Sequence, residues 1–188
     1  MKKILSLAFL LMLSLSIFAQ KQVTKFLGIP VDGSRTAMIQ KLKDKGFTYN
    51  SYSDRLEGQF NGTDVLIYVQ TNNNKVWRIA VIYKNSLNKE QIKTEYNSLI
   101  NQFSNNPRYS KLLNFLNAEE LTDKDDIVYE VNINKKQYHA VFYQLPDDEN
   151  IKNRLVWFTF NEDPNNFQKY IIAIFYENRY NKANGEDL

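Results

Sequence analysis

The 188-residue chain has 24 basic and 21 acidic side chains, a hydrophobic content of 43% and no cysteine. A chain of this length buries enough surface to fold without disulfides, so one domain of ordinary size is expected. The lack of cysteine excludes thiol nucleophiles, thiolate metal sites and redox switching.

Residues 1–19 have the pattern of a secretory signal peptide. Lys2 and Lys3 precede an apolar stretch of roughly fifteen residues, and Ala19 is the small residue at the expected cleavage position. A membrane-spanning helix needs about 20 apolar residues, so we expect cleavage and export to the periplasm or the extracellular medium, with no membrane span afterwards. Loss of the two lysines lowers the formal net charge of +3 by two, to +1. This charge gives no electrostatic reason to expect nucleic acid as a partner.

The mature chain, residues 20–188, begins with a short helix that has signals at both ends. Ser34 is placed to cap its N-terminus. Gly46 suits the left-handed position that ends a helix, and Phe47 is expected to fold back on Leu42 in a Schellman motif.

Three strands are predicted to follow, each with apolar residues at every second position. They cover residues 49–60, 63–69 and 76–83. Asn61 and Gly62 tolerate the two positive φ angles of a type I′ turn and predict a hairpin between the first two strands. In the third strand, alternation puts Trp77 on the same side as Ile79 and Tyr83.

A second helix is predicted from Asn88, which forms a capping-box pattern with Gln91. Its apolar stripe consists of Ile92, Tyr96, Leu99, Ile100 and Phe103. A further short helix is expected around residues 112–116, before four strands at 127–133, 137–145, 154–161 and 168–177.

This order of elements predicts an α+β fold, an antiparallel meander with short helices packed on one face. Two arrangements fit a single domain over residues 20–188. One has two tandem helix-plus-meander units, residues 20–86 and 87–188. The other has one larger antiparallel sheet with the helices on one side.

Residues 26–47 contain FLGIPVDGS followed by a short helix that ends in KGF. This segment resembles the opening of a group of uncharacterised exported proteins of anaerobic Gram-negative bacteria, and the residues at 56–62 and 74–79 fit the same resemblance. In topology alone, the helix-plus-meander order is similar to β-lactamase-inhibitor-like modules and outer-membrane assembly lipoprotein modules. The first resemblance implies no particular activity, and the second implies binding to other proteins.

His139 is the only histidine. It is either a general base or a strand histidine bonded to a neighbour, and the second interpretation is favoured because no serine elbow or paired acid accompanies it. The acidic residues of two loops are either calcium ligands or solvated loop acids: Asp123, Asp125, Asp126, Asp147, Asp148 and Glu149. Neither loop has the glycine and distal glutamate of an EF-hand. We therefore assign no catalytic residue, metal or cofactor.

Apolar and aromatic residues occur on both faces of the last two predicted strands. A sheet with helices on one side needs only one apolar face, so the second face requires a cover from the rest of the chain, a second copy or a partner. Tyrosine and tryptophan suit such interfaces. The candidate partner-binding residues are Trp77, Tyr83, Tyr143, Trp157 and Tyr176.

The expected function is that of an exported, non-catalytic binding or adaptor module for a protein partner. Three alternatives remain open: a glycan-binding module using the same rings, a hydrolase with two catalytic carboxylates, and a homodimer. A glycan site would show one or two exposed rings flanked by amides or carboxylates, whereas a protein site would show a broader apolar area with a polar rim. A hydrolase would show a cleft with paired acids and a raised pKa on one of them.

Overall fold

The computed structural model describes residues 22–111, 120–146 and 150–183. The predicted signal peptide, the predicted helix around residues 112–116 and the acidic run 147–149 lie outside these residues. The described elements are β1 (Lys25–Phe26), β2 (Ile29–Pro30), α1 (Arg35–Asp44), β3 (Thr48–Asn50), β4 (Arg55–Phe60), β5 (Thr63–Asn72), β6 (Lys75–Tyr83), α2 (Lys89–Ser104), β7 (Tyr109–Lys111), β8 (Tyr138–Gln144), β9 (Arg154–Asp163) and β10 (Asn166–Asn178). Within this part of the chain, no helix is both long enough and apolar enough to cross a membrane.

Strands β3 to β10 form one antiparallel sheet in the order β3-β4-β5-β6-β10-β9-β8-β7, and β1 and β2 form a separate small hairpin. The large sheet consists of two four-stranded meanders joined by the pairing of β6 with β10. Helix α1 precedes the first meander and α2 precedes the second. The predicted α+β class is confirmed. The two predicted arrangements are compatible, because the two helix-plus-meander units form one continuous antiparallel sheet.

Helix α1 has the two end signals that its sequence predicts. The Ser34 side chain accepts a hydrogen bond from the Ala37 amide at 3.3 Å. At the other end, the amides of Gly46 and Phe47 donate to the carbonyls of Lys43 and Leu42 at 2.9 and 3.2 Å. Gly46 has φ of +96°. These bonds are the pair that defines a Schellman motif, which confirms the predicted ending.

Helix α2 begins with the predicted capping box. The Asn88 side chain accepts from the Gln91 amide at 2.9 Å, and the Gln91 side chain accepts from the Asn88 amide at 3.0 Å. The whole predicted apolar stripe is buried. Two of its rings contact the sheet: Tyr96 packs edge-on against Phe158, and Phe103 stacks on the same ring.

Both helices cover the same face of the sheet. Met38 and Leu42 of α1 belong to one buried cluster together with the stripe of α2. One row of neighbouring strand residues on this face is also in that cluster: Leu56, Ile67, Val81, Ile174, Phe158 and Ala140. The main hydrophobic core therefore lies between the sheet and the two helices.

Two strand predictions are wrong. The predicted strand over residues 49–60 is interrupted by a turn in which the Asn50 side chain accepts from the amides of Tyr52 and Ser53. This competing local bonding separates β3 from β4.

Residues 127–133 were predicted as a strand, but Val128–Ile133 forms a π-helical turn. Ile127 and Val131, four residues apart, are buried, whereas Tyr129 and Ile133 are exposed. Asp126 Oδ1 accepts from the Tyr129 amide at 3.2 Å. β-branched residues favoured a strand, whereas the burial spacing and the cap fit a helical turn. The strand that pairs with β8 on its outer side is β7.

The N-terminal hairpin is attached to the end of the last strand. The buried Thr24 hydroxyl donates to the Glu177 carbonyl, and the Asn178 side chain donates to the Val31 carbonyl at 2.9 Å. Phe26 packs against the rings of Phe60 and Tyr176, at centroid distances of 5.3 and 4.9 Å. The hairpin therefore contacts both helix-plus-meander units.

Candidate functional site

The face of the sheet opposite α1 and α2, here called the open face, has neither α-helix packed on it; the short 3₁₀ turn Arg179–Asn181 contacts β6. Its central residues form two cross-strand rows of mostly partly exposed side chains: Leu66, Ile82, Ala173, Thr159 and His139 in one, and Tyr68, Ala80, Phe175, Trp157 and Val141 in the other. Most of these residues are apolar. An apolar strip therefore crosses five adjacent strands.

A β-bulge in β6 places two large side chains together on the open face. Gln70 pairs with Arg78, but the next residue of β5 pairs with Val76, so Trp77 is an extra residue. Val76 and Ile79 are fully buried, whereas Trp77 and Arg78 between them are both partly exposed. A bulge residue breaks the alternation of a strand in this way.

Arg78 lies at the centre of what we call the aromatic–arginine cluster, formed by Trp77, Arg78, Trp157, Phe175 and Glu177. The Arg78 guanidinium carbon lies 4.1 Å from the Trp77 ring centroid and 4.9 Å from that of Phe175. The Phe175 ring stacks on Trp157 at 4.2 Å. Stacked rings and a cation over their faces are both favourable arrangements.

Glu177 is the buried carboxylate of this cluster, with a side chain that is 3% exposed. It accepts hydrogen bonds from Arg78 Nε at 3.0 Å and from Trp157 Nε1 at 2.9 Å. Two further cations lie at the edge: Arg179 Nε is 3.6 Å from the second carboxylate oxygen, and Lys182 Nζ is 5.7 Å from the Trp77 ring centroid. Two arginines thus share one carboxylate, and a lysine lies beside the neighbouring tryptophan ring.

Three of the predicted partner-binding residues are on the open face. Trp77 and Trp157 belong to the aromatic–arginine cluster. Tyr143 pairs with Leu155 of β9, in the cross-strand row that also contains Arg78 and Glu177. All three predicted residues are partly exposed.

The other two predicted residues, Tyr83 and Tyr176, are in the core, with 4% and 3% exposure. Their assignment to a partner-binding face is therefore corrected. Burial raises the pKa of both hydroxyls. Tyr83 donates to Glu95 of α2 at 2.7 Å, and Tyr176 packs against Phe26. Alternation had grouped Trp77 with Tyr83, but the bulge puts them on opposite faces.

Sequence reasoning missed Arg78, Glu177 and Phe175. Their signal was the alternation in β10, which puts Phe175 and Glu177 on the face opposite Tyr176. Arg78 had no such signal, because its side depends on the bulge.

Two acids of the first predicted acidic loop, Asp125 and Asp126, are engaged in local hydrogen bonds. In the described part of the chain, no group of three or more His, Asp and Glu side chains is placed to hold a metal ion. Asp125 accepts from both the amide and the hydroxyl of Thr122, and hydrogen bonding to that amide is the main cause of its lowered pKa. With Asp126 capping a helical turn, two acids of this loop have structural roles. His139 pairs with Thr159 on the open face.

No protein-family model matches the chain, and neither a curated protein nor a solved structure is detectably similar to it. The resemblance of residues 26–47 to exported proteins, and the topological similarity to β-lactamase-inhibitor-like modules, therefore stay predictions.

Proposed function

We propose that the protein is an exported, non-catalytic adaptor whose open face binds a protein partner. The partner presents apolar side chains together with carboxylates. The observation that carries this proposal is the aromatic–arginine cluster, which has large apolar rings on a sheet face that neither α1 nor α2 covers. With Arg179 and Lys182 at its edge, three cations there face one carboxylate.

The apolar strip supports an interface because it has no packing role in the described core. The opposite face is apolar because it packs against the two helices. That packing does not explain why the open face is apolar too. Contiguous apolar surface on a soluble protein commonly marks an interaction site. Tryptophan and arginine, both present in the aromatic–arginine cluster, are the residue types that most often dominate binding energy.

The rim of the open face is polar, as expected around a protein interface. At the end formed by β4, β5 and β6, Arg55 Nη2 and Lys84 Nζ contact the two oxygens of Glu57 at 3.0 and 2.9 Å. Asp64, on the same side of β5, makes this end balanced in charge. The cationic excess at the aromatic–arginine cluster comes from Arg179 and Lys182 at its edge, and complementarity there favours a partner with carboxylates.

A glycan is a poorer match for the open face. Sugar recognition needs flat ring surfaces with side-chain amides or carboxylates around them. Here Phe175 covers one side of Trp157 at 4.2 Å, and Arg78 covers one side of Trp77 at 4.1 Å. The apolar area is also spread over five strands, which suits a protein surface better than a sugar ring.

Site-specific photo-crosslinking in expressing cells tests the proposal. The photoreactive residue p-benzoylphenylalanine replaces Tyr68 or Tyr143 on the open face, and Tyr52, which is 100% exposed in the β3–β4 turn, is the control position. We expect a protein adduct from the two open-face positions and none from Tyr52. The absence of an adduct, or equal yields from all three positions, would contradict the proposal.

Charge reversal then tests the chemistry of the partner. Arg179→Glu combined with Lys182→Glu is expected to abolish the Tyr143 adduct, because it reverses the charge of the cluster's exposed edge. The matched control is Lys89→Glu, which changes an exposed lysine in the first turn of α2. An adduct of twice the mass of the chain would indicate self-association and would overturn the assignment of an acidic partner.

A further inference from the structure

A second site lies on the helix-covered side of the molecule, in a cleft of about 570 Å³ that we call the carboxamide cleft. Its walls come from five separate segments: the β1–β2 hairpin, the tip of the β4–β5 hairpin, the last turns of α2, the loop before β7 and the end of β8. Tyr176 of β10 contributes to its floor. This volume is within the ~300–1,000 Å³ range of small-molecule sites.

The chemistry of the cleft is unusual for a protein with 21 acidic residues. Among its described lining residues there is no carboxylate. Two cations, Lys25 and Arg108, lie in the lining together with four carboxamides: Asn61, Gln102, Asn106 and Gln144. Gln59 also borders the cleft, but its side chain donates to Asp64 at 3.3 Å. A carboxamide both donates and accepts hydrogen bonds. The lining is therefore matched to a ligand with many hydroxyl groups and a negative charge.

Hydrogen bonds between the segments hold several of these groups in position. The Asn61 side chain donates to Gln102 Oε1 at 2.7 Å, which links the β4–β5 hairpin to α2 across the cleft wall. The Gln144 side chain accepts from the Lys25 amide at 2.6 Å and donates to the Lys25 carbonyl at 2.7 Å. Pre-positioned polar groups lose less conformational entropy when a ligand binds.

The positive charge in the cleft is also fixed in place. Arg108 Nε donates to Asn106 Oδ1 at 3.3 Å, and the same oxygen accepts from the Arg108 amide at 3.1 Å. Among the described residues nothing bonds to the guanidinium Nη groups, which are therefore placed to interact with a ligand. Aromatic residues at the floor, among them Phe60 and Tyr109, supply apolar surface for the carbon faces of a sugar ring.

We propose that the carboxamide cleft binds a short acidic oligosaccharide, with carboxamides on its hydroxyl groups and Arg108 and Lys25 on its carboxylates. This site is separate from the open face in location and in ligand, so it goes beyond the proposed adaptor function. An acidic peptide is the competing occupant. The sugar is favoured because four carboxamides against two cations match a ligand that has more hydroxyl groups than charges.

Calorimetric titration of the mature chain, residues 20–188, tests the proposal with three probes: trigalacturonate, the neutral galactotriose and triglutamate. We expect trigalacturonate to bind at least tenfold more tightly than either of the others. Equal affinity for the two sugars would show that the cleft does not recognise the carboxylates, which would overturn the proposal of an acidic ligand. Equal or tighter binding of triglutamate would assign the cleft to acidic peptides. No binding of trigalacturonate at 10 mM, roughly the weak limit of such sites, would overturn the site itself.

Variants locate the binding in the cleft. Arg108→Gln is expected to weaken trigalacturonate binding about tenfold, because a charge-assisted hydrogen bond is lost. Lys75→Gln, at an exposed position in the β5–β6 hairpin, is the matched control and should leave the affinity unchanged. Arg108 is also exposed, so its replacement should not unfold the protein, which thermal unfolding checks. Equal affinities of the two variants would place the binding elsewhere and overturn the proposal.

Discussion

Replacing Glu177 by Gln is expected to lower the free energy of unfolding by about 3 kcal/mol. The carboxylate is 3% exposed and bonded to Arg78, whose side chain is 19% exposed. Removing one member of a buried ion pair costs about 3–5 kcal/mol, because the other charge stays buried without compensation. Arg78 keeps some contact with water, which puts the expected cost at the lower end of that range. The glutamine side chain keeps an oxygen that can accept from Trp157 Nε1, so the loss of stability comes mainly from removing the negative charge.

Urea unfolding of the mature chain measures this cost, and calorimetry should show a melting temperature lower by about 6–12 °C. The control is Glu90→Gln, which removes an exposed carboxylate 3.6 Å from Lys89 and should cost less than about 1 kcal/mol. Adding Arg78→Met to Glu177→Gln should restore part of the stability, because the stranded cation is then removed. A loss below about 1 kcal/mol for Glu177→Gln, or no recovery in the combined variant, would refute this reasoning.

Three further results are expected. Gly58→Ala should lower the free energy of unfolding by about 1–3 kcal/mol, because its Cβ would lie 2.6 Å from Cδ1 of the buried Phe47 ring. Asn88→Ala should cost about 1 kcal/mol, because it removes the acceptor of the α2 capping box. Hydrogen bonds from Tyr49 to Asp54 and from Lys84 to Glu57 lower the pKa of these two carboxyls below the ordinary 3.8 and 4.5. The ionised carboxylates therefore stabilise the folded state fully above about pH 5, and this contribution to the free energy of unfolding is lost as the pH falls below those values.

Urea midpoints check all three results. Gly58→Ala is to be compared with Gly33→Ala, where nothing lies within 4 Å of the added Cβ and only the φ of +82° opposes the substitution. An unchanged midpoint for Gly58→Ala would contradict the close contact with Phe47. For Asn88, Asn88→Ser should be nearly neutral, since serine also caps helices. A stability that stays constant or rises between pH 5 and pH 3 would contradict the assigned effect of the two acids.

Sequence patterns predicted those parts of the fold that depend on neighbouring residues. Each helix-end signal involves residues that are close together in the sequence: Ser34 with Ala37, Gly46 with Lys43, and Asn88 with Gln91. The Asn61-Gly62 turn, with φ of +51° and +77°, is equally local. Because these signals set where helices and hairpins begin and end, the order of helices and meanders was largely predictable.

Features that depend on pairing between distant segments were not predictable. The bulge at Trp77 appears only when β6 is aligned with β5, and β8 pairs with β7 although the π-helical turn lies closer to it in the sequence. The carboxamide cleft combines residues from Lys25 to Tyr176, and no sequence spacing relates them. An alternation pattern identifies the two sides of a strand, but tertiary contacts decide which side is covered.

The position of β10 has a consequence for how the protein folds. This strand is the last of the eight to be synthesised, yet it lies in the middle of the sheet, between β6 and β9. The hydrogen bond between Thr24 and Glu177 spans 153 positions, so the N-terminal hairpin cannot be attached to the sheet before β10 has been synthesised. Such non-local pairing makes folding slow, and little of the sheet centre can form while synthesis continues.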